Sequence, residues 1–397
     1  MVFLRDWRGA FKAQLQLGRL ATSFLKACSC AVMLALAAAG TAQAQTIALD
    51  VNSDLADYIL DVTCSGEPVD EAYVRSLPVV QSQVKHHTGL IATRDMDAFV
   101  NGLKAASGCE VLEEDVYLFG PVVEEKEKFQ ATVDYFKSRS GDIEAFVFDT
   151  LAPYAPADLD YEGQLVLSIV GNNCGGFSMD GQFYLALNCL RDSYEDEYAT
   201  ARLLSAHETY HAVQYAFFYP FDEDIARVET KDDAFDYLFM NLLLEGTAEF
   251  VADSRELSGS GGITGFMIRM ARGAYRNMPL NIRTFVYMAD ILEAAGDVDQ
   301  RIRDIYENGF TGGGGQVFYY VGAAMSRMIE ETYGRDTLVC ILAQPPEQFV
   351  RAYQASAKKL ARDDAPPLSE AMEKAANRLS KKRVKDLRYE ACLNHRK

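Results

Sequence analysis

Only two stretches of this chain read as β-strands. GQLVLSIVG (163–171) and GQFYLALNC (181–189) are short, β-rich runs joined by the turn-forming NNCGGFSMDG, and a hairpin is the natural reading. Almost everything else spaces its apolar residues three or four apart, the period of a helix face. A chain written this way must bury helix against helix around, at most, a small antiparallel sheet. The predicted class is mainly α (α+β).

Along the 397 residues, the region 45–157 reads as a small helical bundle. It contains LADYILDV, DEAYVRSL, RDMDAFVNGLKAA and EEKEKFQATVDYFKSR, punctuated by Pro68, Pro78 and Pro121. After the two strands a long helix is expected to start at Ser193, where Ser193 and Asp196 fit a capping box, and to run to Pro220. An acidic loop, FDEDIARVETKDD, separates it from a second helix over about 233–256, which SGSGG at 258–262 ends. The remainder, 261–397, reads as a C-terminal helical subdomain broken by TGGGGQ (311–316) and Pro345-Pro346. The glycine run lacks the Lys-Ser/Thr of a phosphate loop and reads as a flexible loop.

Residues 1–44 have the order of an export signal: a basic leader, the apolar run ACSCAVMLALAAAG, and a small-x-small site at Ala42-Gln43-Ala44. The apolar run is shorter than the roughly 20 residues a bilayer span needs, so cleavage is favoured over an uncleaved anchor. No later stretch is apolar for long enough to span. The expected location is periplasmic or extracellular, an oxidising space. Six cysteines remain after the leader: Cys64, Cys109, Cys174, Cys189, Cys340 and Cys392. Pairing of nearest neighbours is expected (64–109, 174–189, 340–392), against the alternative of six buried free thiols. No CxxC pair is present, which argues against cysteine-held zinc. The formal charge is −18, and the leader carries a net +4, so the remainder is near −22. Such a chain repels nucleic acid and anionic lipid.

The chemistry concentrates in HETYH (207–211). On a helix, positions i and i+4 share a face, so His207 and His211 present two imidazoles one turn apart, a spacing suited to a tetrahedral metal. Glu208, rotated off that face, can reach a water on the metal and act as general base. A third ligand stands on the next helix as Glu245, in LLEGTAEF. There Gly246, Thr247 and Ala248 are small enough to let the helix press close to a neighbour. Glu249, one turn beyond Glu245, is expected to accept a hydrogen bond from a ligating histidine. His86 and His87 lack spaced carboxylates and read as surface histidines, and the acidic stretch 222–233 misses the spacing of a calcium loop.

HETYH followed by EGTAE resembles the gluzincin zinc metallopeptidases, which carry HExxH and, on a later helix, a glutamate ligand often written ExxxD or NEGxAE. The resemblance covers roughly 160–350. It implies a zincin-like catalytic core over 158–260, one Zn²⁺ per chain held by His207, His211 and Glu245, Glu208 as the base, and a peptide or protein substrate. It further implies that FYLALN (183–188) is an edge strand for the substrate backbone. In YYVGAAMSRM, Tyr319 matches a tyrosine that stabilises the oxyanion, although one of 21 tyrosines can equally stand there for packing. The 33 residues between His211 and Glu245 exceed the gap in the best-known members, and no GxMEN segment holds a free amino terminus. An endopeptidase is therefore expected rather than an aminopeptidase. The rival readings are a non-enzymatic helical envelope protein with HETYH as core packing, and a zinc protein with a narrow processing role.

Overall fold

The computed structural model describes residues 45–171, 175–220, 225–311 and 315–394, so the segment 1–44, read above as an export signal, lies outside the described residues. The chain is mainly helical, with one four-stranded sheet. The strands are Thr46–Asn52 (β1), Asp160–Ser168 (β2), Gly175–Met179 (β3) and Gln182–Ala186 (β4), in the order β1-β2-β4-β3.

The sheet corrects four expectations. The two strands legible in the sequence, β2 and β4, run parallel, with Leu165 opposite Phe183 and Leu167 opposite Leu185. The hairpin joins β4 to β3, a strand formed from the segment read as a turn. Its real turn is only Asp180-Gly181, both at positive φ, the two-residue geometry that matches strand twist. The expected antiparallel sheet is thus a mixed one, and FYLALN is not at its edge: β4 lies inside, and the edge strands are β1 and β3. β1, in a region read as helical, adds a further parallel neighbour to β2.

Burial explains the misreading. Leu165, Leu167, Phe183 and Leu185 face the main core, while Val166 and Tyr184 face a smaller cluster with Phe177. A strand covered on both faces loses the alternation that would reveal it, which is why LVLSIV reads as one apolar run. Phe177 and Tyr184 pair across β3 and β4 and stack at 4.6 Å.

His86 and His87, expected at the surface, join this smaller cluster from helix Pro78–Leu90. His86 stacks on Phe177 at 3.9 Å, and His87, 1% exposed, meets Tyr117 edge-on. Burial pushes both imidazoles down to about 4. The unfolded chain protonates them near 6.5, so their contribution to stability is intact above that pH and is lost as pH falls from 6.5 to 4. For His87 the loss is on the order of 3 kcal/mol. In metal-free protein, the urea midpoint of the wild type should therefore fall more steeply across this window than that of His87→Phe. Parallel profiles for the two would show that His87 is not the cause.

Two long helices carry the rest of the argument: the histidine helix, Tyr194–Phe217, and the glutamate helix, Lys231–Val251. Ser193 stands at the N-cap of the first as expected, but its side chain makes no capping bond; a complete capping box, Thr230 with Asp233, opens the second. The glutamate helix crosses a third, the tyrosine helix Val317–Tyr333, at Gly246 and Gly322. A Cβ built on Gly246 would lie 2.3 Å from the Gly322 Cα, so only hydrogen at both positions permits this approach.

Disulfides join Cys64 to Cys109 and Cys340 to Cys392. Cys189 is also disulfide-bonded, whereas Cys174, its expected partner, lies outside the described residues. Among the described residues no helix is long and apolar enough to cross a membrane.

Candidate metal centre

The histidine helix packs against both the sheet and the glutamate helix, and HETYH touches each, through Glu208 on Ser178 and through its two imidazoles beside Glu245. His207 and His211 stand one turn apart with ring centroids 5.0 Å apart. The Glu245 Oε2 atom lies 3.7 Å from the His207 Nε2 and 3.2 Å from the His211 Nε2. Among the described residues this is the one cluster of histidine, cysteine or acidic side chains whose donor atoms fall within 4.8 Å of one another. Donors at about 2.1 Å from a tetrahedral zinc stand about 3.4 Å apart, close to the two distances from Glu245 to the imidazole nitrogens.

Electrostatics point the same way. Burial alone would lower the His211 pKa, but the Glu245 carboxylate outweighs it and holds the imidazole at about 9. Burial would raise Glu245, yet the two imidazoles hold it well below the usual carboxylate range. A proton bound in this way occupies the place a divalent cation would take.

Gln214, which motif reasoning missed, orients His211. Its Nε2 donates to the Leu244 carbonyl at 3.0 Å and to the Thr247 hydroxyl at 2.6 Å, both beside Glu245 on the facing helix. That leaves the amide oxygen for the His211 Nδ1, at 2.8 Å. Nδ1 therefore donates to the amide oxygen, and Nε2 is the ring nitrogen that faces Glu245. The spacing His-x-x-Gln, three residues on one helix, was the available signal.

Glu208 points to the other side, where the Ser178 hydroxyl of edge strand β3 donates to its Oε2 at 3.0 Å. Ser178 was hidden in the segment read as a turn. Tyr319 opens the tyrosine helix, with its ring parallel to that of His207 at 6.1 Å. Burial and the neighbouring Glu245 carboxylate raise its pKa well above the ordinary phenol value, so it stays a hydrogen-bond donor. Glu249 sits one turn beyond Glu245, accepts from the Ser254 hydroxyl at 2.5 Å, and is pushed up to about 8 by burial. The histidine contact expected of Glu249 is made, at His211, by Gln214.

All six predicted residues, His207, Glu208, His211, Glu245, Glu249 and Tyr319, line one cleft of about 550 Å³ that opens beside β3. That volume lies within the range of small-molecule and peptide sites.

Fold and site together define a mainly helical protein in which two histidines and a glutamate bring three donor atoms close enough that they could hold a metal ion, in a cleft lined by all three. The chain belongs to the family described as "Putative zinc dependent peptidase (DUF5700)", which matches residues 75–362. Membership supports zinc as the metal, hydrolysis as the reaction class, and peptides or proteins as substrates. No curated protein and no solved structure matches the chain.

Proposed function

We propose that the protein is an exported zinc endopeptidase of the gluzincin type, with one zinc held by His207, His211 and Glu245. The observation that carries this reading is the division of labour within HETYH. Two imidazoles converge with Glu245 on one side, while Glu208 turns out of that cluster toward the cleft and is steadied by Ser178.

Zinc held by two imidazoles and a carboxylate supplies a Lewis acid for a carbonyl and acidifies a water. Glu208 takes the proton of the attacking water and later delivers it to the leaving amine. Its bond from Ser178 keeps one carboxylate oxygen occupied and the other free for that transfer. The Tyr319 hydroxyl donates to the oxygen that gains charge as the carbonyl carbon becomes tetrahedral. Edge strand β3 offers main-chain groups to an extended peptide lying across the cleft. The disulfides are compatible with export, since such bonds persist in oxidising compartments.

The test is metal content joined to turnover. Chain purified without chelator is expected to hold about one zinc by elemental analysis. It should cleave an unstructured polypeptide, lose that activity to a chelator, and regain it with zinc. Protein that binds no zinc under these conditions overturns the proposal.

A further inference from the structure

Helix Gly262–Arg276 forms a wall of the cleft that the metal itself does not need. Thr264, Ile268 and Ala271 bury one of its faces in the protein body. Ile263, Phe266, Met267 and Met270, spaced i, i+3, i+4 and i+7, form a second apolar face that lines the cleft. None of these four is buried, and Phe266 is 53% exposed. Apolar residues at this spacing ordinarily meet a core. Here they border the space in front of the metal donors, together with Tyr215 of the histidine helix, itself 52% exposed.

The wall is held in register with the donors. Glu197, on the histidine helix ten residues before His207, accepts from the backbone N–H groups of Ile263 at 3.0 Å and Thr264 at 2.8 Å. Gly262, at φ +51°, permits this closeness, because a Cβ there would collide with the Glu197 carboxylate. The helix that carries His207 therefore also fixes the first turn of the wall.

Charge narrows what the wall can accept. Among the described residues, the cleft is lined by Glu208, Glu245 and Glu249, the last raised to about 8 by burial, and by no lysine or arginine. An acidic side chain laid against the wall would lose its hydration with no lysine or arginine beside it to compensate, whereas an apolar one would cover Phe266 and Tyr215. Three methionines, Met240, Met267 and Met270, line the same space. Unbranched thioether side chains re-pack around different shapes.

Resting on the peptidase reading above, we propose that this wall is the specificity determinant. It receives a large apolar side chain flanking the bond to be cleaved, tolerates leucine, methionine and phenylalanine alike, and rejects aspartate and glutamate.

A peptide library varied around one cleavage position, digested by the zinc-loaded full chain and read by mass spectrometry, tests this. Peptides with Leu, Met or Phe at the flanking position should show kcat/KM values about ten- to a hundredfold above their Asp or Glu counterparts, and within about fivefold of one another. The double variant Phe266→Ala, Met270→Ala should flatten that ratio while zinc content stays unchanged. The exposure of Phe266 makes its replacement mild for folding. Cleavage with no apolar preference, or a preference that survives in the double variant, overturns this proposal and leaves the peptidase reading standing. Failure of the zinc-loaded wild type to cut any peptide overturns both.

Discussion

Glu208→Gln is expected to retain its zinc and to lose hydrolysis, whereas Glu245→Ala is expected to lose the zinc. The two carboxylates differ in what they touch. Glu245 lies within 3.2 and 3.7 Å of the imidazole nitrogens, while Glu208 is bonded to Ser178 across the cleft. Glutamine is nearly isosteric and still accepts from Ser178, so the fold and the metal donors are undisturbed. It cannot take a proton, and the loss should reach at least about 10²- to 10⁴-fold in kcat. Removing Glu245 takes a donor from the centre and leaves two imidazoles without their carboxylate. Loss of a residue that only orients a ligand costs about 10–100-fold in metal affinity, and loss of a direct donor should exceed that. Gln214→Ala supplies the intermediate case, because its role is to aim His211. Zinc titration with a competing chelator, run beside kcat measurements, separates the three. If Glu208→Gln lost zinc as readily as Glu245→Ala, the assignment of separate roles would fail.

The second large effect concerns no catalytic group. Gly322→Val is expected to leave little folded protein, and Gly322→Ala to destabilise it by about 1–3 kcal/mol. A Cβ on Gly322 would lie 2.3 Å from the Leu242 carbonyl oxygen and 2.6 Å from the Gly246 Cα. Both obstacles are backbone, so no side chain can swing aside and the helices must separate. Alanine would otherwise favour a helix by about 1 kcal/mol over glycine, and the clash has to overcome that gain. Gly273→Ala is the control: the position is helical, nothing lies within 4 Å of its would-be Cβ, and a gain of up to about 1 kcal/mol is expected. Urea denaturation of the three variants decides it. The consequence reaches the site, because Glu245 precedes Gly246 by one residue and Tyr319 precedes Gly322 by three. Forcing the crossing apart should also weaken zinc binding in Gly322→Ala.

The crossing shows how far local text reaches. The small residues of EGTAE implied a close neighbour for the glutamate helix, and the YVG segment contained the other glycine, but nothing in either stretch says that they meet. Similarly, the spacing of HETYH places two imidazoles on one face, because helical period is a local property of the backbone. What lies opposite that face is set elsewhere. β3 was missed because its residues, glycine-rich and followed by Asp180-Gly181, have turn chemistry; pairing with β4 makes them a strand, and Ser178 reaches Glu208 only as a result. His86 and His87 read as surface residues because their burial depends on Phe177 and Tyr117, distant in the chain.

By itself, then, the sequence determined what is written in short-range periodicity: a mainly helical chain, the two long helices, and the face of each that carries imidazole or carboxylate. The tertiary structure alone decided strand order, the edge strand, the partner of each site residue, and the wall in front of the donors. Those features rest on contacts between segments tens to more than a hundred residues apart. Such contacts are selected by the joint burial of several elements, which no single stretch encodes.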